Sequence, residues 1–138
     1  MAEIAVVPIV LKDMILEIET DDFAAAVSSA ILTPASSTVV FKGLKAGAVF
    51  TDVTAATWTL ALTYAQDWVT VGSLSAYLFN EEGELKDAVL KPQSGVGPSF
   101  EVEIIITPGA IGGAVDQTAT ATVTLGVQGK PTLVPAVV

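Results

Sequence analysis

The chain has 138 residues, 51% of them hydrophobic and only 15% charged, and its net charge is −9. It contains no cysteine, histidine or arginine, so its six basic residues are all lysines. This excludes disulfides and thiolate metal sites, removes the commonest general base and metal ligand, and leaves no guanidinium to grip phosphate, while a pI near 4.1 sets the surface against nucleic acid.

Residues 1–11 form an apolar arm with little punctuation. "DMILEIET" (13–20) predicts a strand, with Met14, Leu16 and Ile18 on one face and Ile15, Glu17 and Glu19 on the other. "DDFAAAVSSAIL" (21–32) reads two ways. Asp21 can cap a helix, yet Phe23, Ala25, Val27, Ser29 and Ile31 alternate; the strand is favoured, closed by Pro34. "STVVFKG" (37–43) predicts a short strand. Residues 44–56 are small and aperiodic, which predicts a long surface loop of the kind that carries function.

"TWTLALTYAQDW" (57–68) opens with Trp58, Leu60, Leu62 and Tyr64 on one strand face and Thr57, Thr59, Ala61 and Thr63 on the other. From Asp67 the period turns helical through Trp68, Val71, Leu74, Leu78 and Phe79, with Asp67 as the expected cap. Gly72 and the β-branched run 69–71 weaken that helix. "NEEGE" (80–84) predicts a turn with Gly83 left-handed. Strands are expected at 85–92 and 99–108, separated by the Gly/Pro loop 93–98. A second loop, 109–116, precedes the unbroken alternation "QTATATVTLGV" (117–127), and residues 130–138 form a second arm. Seven or eight short strands and one helix predict a mainly β, single-domain fold. A β-sandwich or barrel-like domain with one flanking α-helix fits that inventory.

A mean hydropathy of +0.65 leaves too much apolar surface for a small monomer, although no apolar run reaches the ~18 residues of a membrane helix. No membrane insertion is expected. The run 4–11 is short, broken by Pro8 and preceded by an acidic residue, which argues against a secretion signal and for synthesis in the cytoplasm. Partner subunits would resolve the excess, because an obligate interface resembles a core cut in half.

Few constellations carry chemistry. Glu17/Glu19 and Glu101/Glu103 each place two carboxylates on one strand face. They lack a neighbouring nucleophile or cation, so a solvated face outweighs an acid/base dyad, with an acidic wall as the remaining reading. "NEEGELKD" (80–87) lacks the spaced aspartates and distal glutamate of a calcium loop. "GVGP" (95–98) and "GAIGG" (109–113) lack the lysine and helix of a phosphate loop. Trp58 and Trp68 could stack a sugar, but Trp58 is in phase with the core face. No catalytic residue, metal ligand or cofactor site is expected. The threonine rows Thr57/Thr59/Thr63 and Thr118/Thr120/Thr122/Thr124 are more informative. Exposed strands usually carry charge against edge pairing, and these do not.

The stretches "TWTLALTYAQDW", "LSAYLFNEEGE", "KPQSGVGPSFEVEIIITP" and "GGAVDQTATATVTLGVQGKP" cover roughly residues 57–131. In that order they resemble the major tail tube proteins of long-tailed, non-contractile bacteriophages, especially those of actinobacteria. "YAQDW" and the closing "GKP" are the most distinctive pieces. The resemblance implies a virion structural protein, not an enzyme. It implies a β-sandwich with a flanking helix, hexameric rings joined by a shared inner β-barrel, and rings stacked into a tube with other tail proteins. An acidic lumen would then carry DNA during ejection without binding it specifically.

On that footing the arm, loop and tail become contact material. Ile4, Val6 and Val7 are expected between subunits or rings, as are Leu44, Val49, Phe50 and Val53 from the loop and Leu133 and Val134 from the tail. Glu17, Glu19, Glu101 and Glu103 are expected to face the lumen. The threonine face of 57–63 is expected to meet protein or lumen rather than bulk water. Six copies of −9 would give about −54 per ring. A capsid-decorating or host-adhesion β-sandwich, binding through Trp68 and the loops, is the alternative; an enzyme is disfavoured by the missing residue types.

Overall fold

The computed structural model describes residues 2–93 and 97–136. The centre of the predicted loop 93–98, including the first two residues of "GVGP", and the last two residues of the tail lie outside the described residues.

Eight strands form one sheet: β1 (Ile15–Ile18), β2 (Asp21–Asp22), β3 (Val27–Ala35), β6 (Thr57–Ala65), β7 (Leu85–Lys91), β8 (Ser99–Ile105), β9 (Thr120–Val127) and β10 (Thr132–Val134). The order is β2-β1-β7-β8-β9-β6-β3, with β10 also on β8, and every pairing is antiparallel. One margin of β8 is divided. Ser99–Glu101 pair with β10, whereas Ile104 and Ile105 pair with Val127 and Gly126 of β9. At this corner the sheet folds over, so that two halves, β2-β1-β7-β8-β10 and β9-β6-β3, enclose one core. Leu16, Leu90 and Ile104 from the first half lie in the same buried cluster as Leu60, Leu62, Val123 and Leu125 from the second. The fold is thus the expected mainly β, sandwich-like domain with one helix.

The alternation in the sequence builds this core directly. Ala30, Leu62 and Val123 lie in one cross-strand row, and Leu32, Leu60 and Leu125 in the next. At full burial each such Leu contributes about 1.5–3 kcal/mol. Trp58 lies in phase with them, half-buried, opposite Pro34 and Val127.

The single α-helix among the described residues, α1 (Leu74–Asn80), is shorter than its sequence period. Ser73 is its cap, the side chain accepting from the Ala76 N–H at 3.4 Å. Asp67 instead closes a local turn, accepting from the N–H groups of Val69 and Thr70 at 3.0 and 3.1 Å. Gly72 adopts a left-handed φ of +79°, which stops the helical period from running back to Asp67. Leu74 and Leu78 enter the core. Gly83 is left-handed as expected, at φ +84°, and its N–H donates to the Ile106 carbonyl at 2.8 Å.

Three other expectations are corrected. Residues 21–32 are not one strand: after β2 the chain makes a 3-10 turn (Ala24–Ala26) before β3 begins. Asp22 Oδ1 accepts from the Ala24 N–H at 3.0 Å and holds that break. Pro34 does not close β3 but lies within it, because an edge position asks no donor of it. Residues 44–56 are not all loop. β4 (Thr38–Lys42) and β5 (Val49–Val53) pair in a separate two-stranded hairpin, so only the tip and the return are irregular. Val49, Phe50, Thr51 and Val53 are strand formers whose signal the small residues around them dilute.

Candidate assembly surfaces

No group of three or more His, Cys, Asp or Glu among the described residues is placed to hold a metal ion. Nor is any helix among them long and apolar enough to cross a membrane. What stands out is surface.

The first surface is acidic. Glu17, Val89 and Glu101 lie in one cross-strand row on the open face of β1, β7 and β8, and Asp87 opposes Glu103 in the next. Asp22 extends the first row from β2, and Thr132 ends it on β10. Glu17, Glu101 and Glu103, from two separately predicted pairs, are therefore brought to one face. Asp22 and Asp87 were missed because only register reveals them. Glu19 does not belong to this face. It follows the end of β1 at a left-handed φ of 59°, its N–H donating to the Asp87 carbonyl at 2.8 Å. A shallow depression of about 420 Å³ crosses the acidic face, with Lys130 and Thr132 on its rim.

The second surface is uncharged. Ser29, Thr63 and Thr122 form one row on the open face of β3, β6 and β9, Ile31, Ala61 and Thr124 the next, and Thr33, Thr59 and Gly126 a third. The hydroxyls of Thr63 and Thr122 are 3.2 Å apart. Acidic and uncharged faces lie on opposite halves of the sandwich, each turned away from the shared core.

The third surface is the β4–β5 hairpin, exposed at every strand residue. Phe41 and Phe50 oppose each other with ring centroids 6.3 Å apart, and Val40, Val49 and Val53 occupy the reverse side. Leu44 stands fully exposed at the tip. Val49, Phe50 and Val53 are among the residues expected to make contacts, though from a loop; Val39, Val40 and Phe41, whose sequence reads as an ordinary strand, share the surface with them. In the arm, Ile4, Val6 and Val7 are more than 80% exposed and belong to no regular element. Leu133 and Val134 are exposed too, but within β10, so that part of the expected tail is paired to the sheet.

Gln66, in the "YAQDW" stretch, is a structural clamp. Its Nε2 donates to the carbonyls of Gly112 and Thr120 at 2.8 and 3.0 Å, and its Oε1 accepts from the Gly112 N–H and Trp68 Nε1 at 3.0 and 3.2 Å. Loop 109–119 is thereby tied to the end of β6. Trp68 is half-exposed and meets Phe79 edge-on at 6.3 Å. Burial raises the Tyr77 hydroxyl above the usual tyrosine range, with the charges of Glu19, Glu81 and Asp21 adding to it.

No protein-family model matches the chain, and no curated protein does either. Solved structures do. A chain in the virion of a native gene transfer agent particle aligns with a TM-score of 0.64 at 12% identity, over 88% of this chain and 95% of that one. A chain in the tail of an empty gene transfer agent particle, refined with C6 symmetry, gives 0.64 at 11% identity, over 86% and 93%. A chain in the six-fold symmetrised baseplate of the anti-feeding prophage gives 0.61 at 12%, over 95% and 98%. At such identities the likeness establishes a shared fold.

Proposed function

We propose that this chain is a structural virion protein of a bacteriophage-type tail, one whose copies close into rings, six to a ring, and stack as a tube through which DNA leaves. The carrying observation is the β4–β5 hairpin, which exposes apolar side chains on both sides and, among the described residues, pairs only with itself as a separate two-stranded sheet. A two-stranded ribbon is marginal alone in water and is completed by a surface that covers it. The arm bearing Ile4, Val6 and Val7 is a second such element. Leu44, Val49, Phe50 and Val53 of the hairpin, with Leu133 and Val134 of β10, are the proposed contacts between copies.

The fold shared with chains of tail particles supports this reading, and two of those assemblies have sixfold symmetry. Synthesis in a host cytoplasm and residence in the virion follow, alongside other tail proteins. The role is read as structural rather than catalytic, in line with a chain that has no histidine, cysteine or arginine. The test is negative-stain microscopy of the purified protein over a concentration series. Rings or hollow tubes are expected; persistent monomers at high concentration refute the proposal.

The exposed Trp68–Phe79 pair favours one other reading, a decorating or adhesion module that stacks a sugar on that edge. That reading requires a small discrete oligomer with glycan affinity, lost in Trp68→Ala.

A further inference from the structure

We propose that the half-sheet β9-β6-β3 is the part that continues from copy to copy, so that its uncharged hydroxyl face lines the bore and the acidic face points away from it. This rests on the tube reading above and reverses the expectation that Glu17, Glu101 and Glu103 face the lumen.

The strand margins decide it. The acidic half ends on strands of two and three residues. Of these, β2 runs at once into the 3-10 turn, and β10 is flanked by Pro131 and Pro135. Very short edge strands and edge prolines are how a sheet stops further pairing. The uncharged half ends on strands of nine and eight residues, β3 and β9. Neither contains Lys, Asp or Glu, and the one proline in them, Pro34, sits at the far end of β3 and leaves the stretch Val27–Ile31 free to pair. Beyond the corner with β8, the outer margin of β9 from Thr120 to Leu125 has no strand partner among the described residues, and the outer margin of β3 has none along its length. Beside Val27–Ile31 that margin opens onto a groove of about 750 Å³, whose far wall is formed by residues 11–16. A strand from a neighbour has space there.

The polarity is consistent. Both β3 and β9 run antiparallel to β6, so they run parallel to each other. Copies related by rotation about an axis keep their strand direction, so β3 of one copy meets β9 of the next as a parallel pair. Such a contact is heterologous and repeats until it closes. Three strands from each of six copies make about 18; at ~4.8 Å spacing and ~40° tilt the backbone circle is roughly 35 Å across, and barrels of that strand number leave an aqueous channel. Their inner wall follows by elimination. One face of β9-β6-β3 is buried against the molecule's own other half, through Leu60, Leu62, Val123 and Leu125. The face left for the bore carries Ser29, Thr33, Thr59, Thr63, Thr122 and Thr124. Such a wall offers phosphate no cation and passing DNA no fixed carboxylate.

The absence of cysteine makes the test direct. Single thiols are placed by Thr122→Cys and Glu103→Cys, with Thr124→Cys as a second site on the hydroxyl face should the first variant fold poorly. Assembled tubes and dissociated subunits are then treated with a polymer-linked maleimide too bulky for the bore. The hydroxyl-face thiols are expected to react about tenfold or more slowly in tubes than in free subunits, since only the tube ends admit the reagent. The Glu103→Cys thiol is expected to react equally in both. The reverse pattern, or equal protection at both faces, overturns the assignment and leaves the tube reading standing. Failure of the parent protein to form rings or tubes under any condition overturns both.

Discussion

Phe41 and Phe50 give the sharpest test of the hairpin's role. The two rings oppose each other across β4 and β5 and stand 67% and 65% exposed. Full burial of an exposed Phe is worth about 1.5–3 kcal/mol. With two-thirds of each ring still open, the pair can add about 2–4 kcal/mol to a contact that covers it. Replacing both by threonine keeps strand propensity and removes most of that gain. The concentration needed for assembly should then rise about thirtyfold to several hundredfold, at ~1.4 kcal/mol per tenfold. The free subunit should lose only the ring pair itself, about 0.5–1.5 kcal/mol, confined to the hairpin. Sedimentation of assembled material over a concentration series gives the first quantity, and thermal unfolding of dilute subunits the second. An assembly threshold unchanged in the double variant would refute the reasoning, because apolar side chains so exposed would then be covered by nothing.

Gln66→Ala should release loop 109–119, raising amide exchange there by about tenfold or more with the core strands unchanged; unchanged exchange would mean the clamp adds nothing. Hydrogen bonds from the Thr70 hydroxyl and then from the Thr70 and Val69 N–H groups hold the Asp67 carboxyl below the usual aspartate range. A lowered folded pKa contributes stability above the unfolded value of about 3.9, lost as pH falls through the folded one. Carboxyl NMR should place the Asp67 midpoint below that of an unstructured aspartate, and a midpoint at or above it counts against the turn. At Gly109 an added Cβ would overlap Tyr64 Oη, whose ring is buried. Gly109→Ala should cost about 1–3 kcal/mol in denaturant unfolding, and Tyr64→Phe in the same chain should recover part of it; a double variant no more stable than Gly109→Ala alone would place the conflict elsewhere.

The faces of the sheet were legible in the sequence because side chains alternate with period two, and that pattern survives any register. Leu60, Leu62 and Tyr64 on one side and Thr59 and Thr63 on the other are where alternation placed them. What alternation cannot carry is which strand lies beside which. Asp87 belongs with Glu103 only because β7 and β8 pair in that register, and nothing local to Asp87 says so. Helix limits failed for a different reason. Trp68 and Val71 fit a helical period by coincidence, while Gly72 and the Ser73 cap set the real start. The hairpin is half legible, since β4 carries a strand pattern and β5 is hidden among small residues. Its exposure on both sides is a tertiary property with no sequence signature.

Net charge does not say which face of the fold carries it. The value of −9 belongs to the whole chain, and strands β3, β6 and β9 contribute nothing to it. The carboxylates of Glu17, Asp87, Glu101 and Glu103 sit on the far side of the sandwich, beyond a sheet-to-sheet spacing of ~10 Å. That exceeds the ~8 Å over which exposed charges act at physiological salt. If the hydroxyl face lines the bore, passing DNA feels those carboxylates weakly, and its free passage rests on what the wall lacks rather than on repulsion. Reversing Glu101 and Glu103 to lysine should therefore leave DNA retention by assembled tubes unchanged at physiological salt. Lysine at Thr122 should create it, because a single cation per copy would repeat around the ring at the surface the phosphates pass.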